Sequence, residues 1–165
     1  MRYRRTINRF IIPLIAAFIA LAANRFVPGV KSTAGGEQLY YVKKVIDGDT
    51  VILADNDRVR YIGINTPEIK NRYKEKEEPY GPEAKEFNRT LVEDKWVKLE
   101  FDIEKRDRYG RLLAYVYAGD KFVNGMLIRE GLAKAYPFEP NTKYKQRFRD
   151  YEKEAKDGRK GIWSL

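Results

Sequence analysis

Apolar positions along the chain fall into short runs with two different periods. Val42, Val45 and Ile46, then Val51, Ile52 and Leu53, form strand-like runs on either side of Asp47-Gly48, a dipeptide suited to the tight turn between two strands. Asp55-Asn56-Asp57 marks a second turn, and Val59 to Ile64 predicts a third strand. Strand side chains alternate between two faces, so Arg60 shares a face with Ile62 and Ile64. An arginine there must lie at the mouth of a barrel or meet an anion. Trp96 to Phe101 and Leu112 to Tyr117 predict two more strands, separated by the charged turn Asp107-Arg108-Tyr109-Gly110-Arg111. Helical spacing takes over at Ala84, Phe87 and Leu91, behind Gly81-Pro82-Glu83 with Pro at the first helical position. A short helix is expected from near Asn124 to Gly131. A last one is expected from about Thr142 to Lys156, capped by Asn141, with Tyr144, Phe148, Tyr151 and Ala155 as its core-facing stripe. Five strands with about three helices between and after them predict an α+β fold built on a small five-stranded Greek-key barrel of the OB type.

The N-terminus has a different pattern. Arg2, Arg4, Arg5 and Arg9 precede the apolar run Phe10 to Ala23, and Ala20-Leu21-Ala22 offers a small-x-small cleavage site. Residues 1–22 therefore read as a signal peptide with a mature N-terminus near Ala23, or as an N-terminal membrane anchor, the run being shorter than the roughly 20 residues of a full span. Residues 23–37, with Lys31-Ser32-Thr33-Ala34-Gly35-Gly36-Glu37, read as a flexible linker, and residues 38–165 as one domain. The expected location is outside the cytoplasm, secreted or tethered to the outer face of the membrane.

Composition narrows the chemistry. Neither cysteine nor histidine occurs in the 165 residues, which excludes disulfides, thiolate nucleophiles, Cys/His zinc sites and histidine as a general base. The net charge of +9 draws four of its cations from the first nine residues, and the remainder is still basic, as expected of a partner for polyanions. Arg60-Tyr61-Ile62-Gly63-Ile64-Asn65-Thr66-Pro67-Glu68 then joins an arginine-bearing strand to a Pro-stiffened turn with a carboxylate, and Asp49 lies eleven residues before that arginine. Oxygen ligands beside a guanidinium suit a divalent metal and a phosphodiester.

Val45-Ile46-Asp47-Gly48-Asp49-Thr50, Arg60 through Glu68, Tyr80-Gly81-Pro82-Glu83-Ala84, Asp107 through Arg111, Gly131-Leu132-Ala133-Lys134 and Ile162-Trp163-Ser164 together resemble the staphylococcal nuclease (thermonuclease) family, in the family's order from about Tyr40 to Ser164. The resemblance implies an OB-fold, calcium-dependent nuclease acting on DNA and RNA and leaving 3′-phosphate ends. It implies Asp49 and the Thr66 carbonyl as calcium ligands. Asn65 stands where the family has a second calcium carboxylate, a departure that keeps an oxygen but loses a charge. Glu68 matches the general base or water-orienting group, and Arg60 and Arg111 match the pair that grips the scissile phosphate. Arg108, Tyr109 and Tyr136 match nucleotide-holding positions, and Phe138 stands where a second tyrosine is frequent. Each has a plainer reading: Asp47 as a turn cap, either arginine as a salt-bridge partner, Glu68 as an exposed turn residue, Tyr136 as packing. The charged stretch 70–78 corresponds to a loop near the site. No protein partner is implied and a monomer is expected. The competing reading is a non-catalytic nucleic-acid-binding or scaffold module of the same fold.

Overall fold

The computed structural model describes residues 29–69 and 77–165. The signal or anchor reading of residues 1–22, the start of the linker and most of the charged loop 70–78 lie outside the described residues. Among the described residues no helix is long and apolar enough to cross a membrane.

The strands are β1 (Val30–Ser32), β2 (Gln38–Val45), β3 (Thr50–Leu53), β4 (Arg58–Tyr61), β5 (Ile64–Asn65), β6 (Trp96–Glu100), β7 (Leu112–Ala118), β8 (Lys121–Phe122) and β9 (Lys134–Ala135). The helices are α1 (Gly81–Val92), α2 (Val123–Arg129) and α3 (Lys145–Asp157), with a single 3-10 turn at Gly161–Trp163. β2, β3, β4, β7 and β6 pair in that order, and β2 pairs again with β6, which closes the expected five-stranded barrel. Every pairing around it is antiparallel except β4 with β7, which run parallel.

Closure depends on a bulge. Val42 and Val45 are three residues apart, so strict alternation would turn one of them outward. The register of β2 against β3 shifts between Val42 and Lys44, and both valines are buried. Val51, Leu53, Val59, Tyr61, Val97, Leu99, Ala114 and Val116 complete the interior contributed by the barrel strands, while Leu113 and Tyr115 are buried on the other face of β7. α3 lays Phe148 and Tyr144 against Tyr115 and Phe122, with the Tyr144 and Tyr115 rings edge-on at 4.7 Å. Of the stripe expected to face the core, Phe148 and Ala155 are buried and Tyr144 and Tyr151 pack half-buried against it.

Three boundaries differ from the sequence reading. Val30–Ser32, inside the expected linker, pairs with Gln38–Tyr40 as an edge strand. The third strand ends at Tyr61, because Ile62 and Gly63 form a turn. Gly63 has φ +77, and a Cβ there would lie 2.5 Å from the Phe148 ring, so the turn needs glycine both for its backbone and for the space. Asn141 does not cap α3, which begins at Lys145. Its amide is instead buried, accepting from the N–H of Glu104 at 2.8 Å and donating to the Glu104 carbonyl at 2.8 Å.

Candidate active site

Three loops meet at one end of the barrel: the Asp47-Gly48 turn after β2, the stretch from the Gly63 turn through Glu68, and the Asp107–Arg111 turn before β7. Asp47, Asp49, Thr50, Arg60, Asn65, Thr66, Glu68 and Arg111 line a single cleft of about 170 Å³ between them. All six residues assigned from the sequence to catalysis or metal binding are among these.

Asp49 is at the centre and is almost wholly buried. Its Oδ2 meets Arg60 Nη1 at 2.5 Å and accepts the Thr66 N–H at 2.9 Å, while Oδ1 accepts the Thr50 hydroxyl at 3.2 Å. Arg60 also donates through Nη2 to Asn65 Oδ1 at 2.9 Å. The anionic partner that a largely buried arginine requires is thus Asp49. Burial pushes the Asp49 carboxyl up to about 6 and nearby Asp47 adds to the rise, against the opposing pull of Arg60 and the Thr66 N–H. Asp47 caps its own turn, accepting the Asp49 N–H at 3.1 Å.

Arg111 is held by its own turn. Asp107 Oδ1 accepts the N–H groups of Tyr109 and Arg111, each at 2.9 Å, and Oδ2 accepts Arg111 Nε at 2.7 Å. Partial burial raises the Asp107 carboxyl, but the side chain and N–H of Arg111 outweigh it and the net shift is downward. Glu68 is fixed through its backbone: its N–H donates to Glu78 Oε2 at 3.1 Å, and its carbonyl accepts the Glu78 N–H at 2.9 Å.

Arg108, Tyr109 and Tyr136 do not line the cleft. Tyr109 and Tyr136 are 69% and 61% exposed, so Tyr136 is a surface ring rather than packing. Arg108 Nη2 donates to the Tyr109 hydroxyl at 2.6 Å. Tyr136 is tied in through its N–H, which donates to the Gly63 carbonyl at 2.8 Å.

What positions these loops is a set of three buried asparagines. Asn88 on α1 accepts from the Tyr61 hydroxyl at 2.9 Å and donates to the Asp47 carbonyl at 3.3 Å. Asn124 on α2 accepts from the Val116 N–H at 2.9 Å and donates to the Ile62 carbonyl at 3.0 Å. Asn141 holds Glu104, just before the Asp107 turn. Each anchors one site-bearing loop to the body of the fold. Asn88 had a readable signal, since it follows Ala84 by one helical turn on the buried face of α1. Asn124 and Asn141 lay at sites where an ordinary helix start explained them.

The Asp49 carboxylate, the Asn65 amide oxygen and Thr66 all line this cleft and offer oxygen donors alone, the kind a hard cation takes. The charge of the set is low: among the described residues no group of three or more His, Cys, Asp or Glu side chains is arranged to hold a metal. Asn65 contributes an uncharged oxygen, so Asp49 brings the one carboxylate among these three residues.

The family model described as Staphylococcal nuclease homologue matches residues 58–165. A thermonuclease of Staphylococcus hyicus is 38% identical over 168 residues, covering 97% of this chain and 99% of its own length. A thermonuclease of Staphylococcus intermedius is 42% identical over 127 residues, 75% of each chain. The endonuclease YncB of Bacillus subtilis is 48% identical over 126 residues, 73% of this chain and 59% of that protein.

Proposed function

The chain belongs to the staphylococcal nuclease family, and from that premise we propose that it is a calcium-dependent nuclease that hydrolyses phosphodiester bonds of DNA and RNA to 3′-phosphate products. The observation that carries the reading is the convergence of Asp49, Arg60, Asn65, Thr66, Glu68 and Arg111 on one cleft.

The two arginines bind the scissile phosphate from two elements, β4 and the turn before β7. Arg111 meets Asp107 through Nε, so its Nη edge is presented to a ligand, and Arg60 enters from β4. A planar fork of donors matches two phosphoryl oxygens and gains strength as negative charge builds on them. Glu68 takes the proton of the attacking water, or orients that water; with no histidine in the chain, a carboxylate is the available base. Asp49, Asn65 and Thr66 would hold the calcium ion, which when bound supplies positive charge against the phosphate oxygens. Asp49 meanwhile fixes Arg60, and Gly48 packs flush on the Thr66 side chain, keeping the Asp49 and Thr66 loops in register. Arg108, Tyr109 and Tyr136 bind the flanking nucleotide, the aromatic rings by stacking, which tolerates any base. The basic charge outside the first nine residues favours association with a polyanion. The arginine-rich start and apolar run support a location outside the cytoplasm, secreted or membrane-tethered.

The direct experiment measures acid-soluble nucleotides released from DNA and RNA by the purified protein, with calcium and with chelator, and identifies the product ends. Calcium-stimulated release with 3′-phosphates is expected, and its loss in Asp49→Ala with the barrel still folded. Binding without cleavage under all conditions would select the non-catalytic module instead. Intact mass and membrane fractionation of the exported protein test the location.

A further inference from the structure

Beside the cleft lies a second hollow of about 270 Å³, walled by Pro67, Pro79, Lys134, Ile162 and Trp163. It shares Asn65 and Thr66 with the first, so the two meet along one wall. Arg108, Tyr109 and Tyr136 do not border it, and the chemistry described so far makes no use of it.

Its lining combines an indole ring, two prolines and a lysine. Lys134 is the register partner of Asn65 in the β5–β9 ladder, which sets the two side chains next to each other on one face. Its ammonium lies 6.0 Å from the centroid of the Trp163 ring, and among the described residues it forms no salt bridge. The acidic residue at the hollow, Glu78, is engaged by the Glu68 N–H. Lys156, outside the hollow's lining, lies 4.4 Å from the same ring but is paired with Glu152 at 2.7 Å, which leaves Lys134 as the cation available to a ligand. The indole N–H of Trp163 is buried without an acceptor among the described residues. An aromatic wall, two prolines and a cation without a carboxylate partner suit a base and its phosphate better than an apolar ligand.

We propose that this hollow is a further substrate subsite, in which the base next to the scissile phosphate rests against Trp163 and Pro67 while Lys134 holds its phosphate. The proposal rests on the nuclease reading above. A phosphate held by Arg60 and Arg111 is flanked by a nucleotide on each side, and the one on the Thr66-Pro67 side enters here.

Trp96 and Trp163 are the chain's two tryptophans, so Trp96→Phe makes Trp163 the sole indole reporter. Titrated with an oligodeoxythymidylate in chelator, its emission should change on binding. In the otherwise native chain, Lys134→Gln should shrink the slope of log K against log salt by about 0.7, the loss of one phosphate contact to a single strand. Lys153→Gln, whose ammonium pairs with Asp157 on exposed α3, should leave the slope unchanged. A scan of single abasic sites should find two sensitive positions, the base stacked by Tyr109 and Tyr136 and a second one across the cut, where kcat/KM falls on the order of tenfold; a single sensitive position would count against the subsite. An unresponsive Trp163 and an unchanged slope, in a protein that binds and cuts the oligonucleotide, would overturn the subsite alone. Failure to bind or cut at all would remove the nuclease reading and this one with it.

Discussion

Asn124→Ala should cost this protein much of its stability, although neither hydrogen-bond partner of Asn124 lines the cleft. The side chain is fully buried and bridges the Val116 N–H to the Ile62 carbonyl. Truncation leaves one backbone donor and one backbone acceptor without those partners inside the fold. At about 1–3 kcal/mol for each orphaned group, the loss is about 2–6 kcal/mol. That is a large part of the roughly 5–15 kcal/mol that holds an ordinary domain together. Urea unfolding followed by tryptophan fluorescence measures it, with an unchanged m-value showing that the same surface is still exposed. Asn124→Asp separates the two bonds, because it keeps an acceptor for Val116 and loses the donor to Ile62. Burial and the facing carbonyl raise the new carboxyl above its unfolded value, and the protonated form can donate to Ile62. Its deficit against the native chain should therefore narrow as pH falls through the folded pKa and widen as pH rises. A loss below about 1 kcal/mol in Asn124→Ala, or a flat pH response in Asn124→Asp, would refute the bridging role.

Arg60→Lys and Arg111→Lys keep a charge but lose the planar fork, and each should lower kcat on the order of a hundredfold; normal turnover with weakened binding would reduce both to an electrostatic footprint. Asn65→Asp should tighten calcium binding in a calorimetric titration, and an unchanged affinity would show that this position is no ligand. Tyr136→Ala should raise KM and leave kcat near its native value, because stacking remote from the reacting bond serves substrate and transition state alike. A fall in kcat alone would place Tyr136 in the chemistry.

The features legible in the sequence were those written in local patterns. Alternation gave the barrel strands, helical spacing gave the Phe148 stripe, and the short motifs around Asp49, Arg60 and Arg111 named residues that converge on one cleft. The strand at Val30–Ser32 was hidden because its pairing with β2 runs across a Gly-rich turn and its own composition is that of a linker. The Ile62-Gly63 turn was hidden inside an apolar run, where only the approach of Phe148 from far along the chain makes glycine necessary. Asn141 read as a helix cap because its partners at Glu104 are 37 residues away. Lys134 and Trp163 were noted only as parts of longer motifs; their place beside Asn65 emerges from the β5–β9 pairing and the final 3-10 turn.

The parallel ladder between β4 and β7 bears on when the cleft comes into existence. It aligns Arg60 with Leu113, and so brings the Arg111 turn beside Arg60 although some fifty residues, including α1 and β6, intervene. Parallel strands cannot be joined by a tight turn, and contacts so distant in sequence form late and slowly. A nascent or unfolded chain carries Asp49, Arg60 and Glu68 early but has no second guanidinium beside them until that ladder zips. The two guanidinium groups of the cleft therefore come together only when that long-range ladder forms, and a chain held unfolded has the residues of the cleft without the cleft.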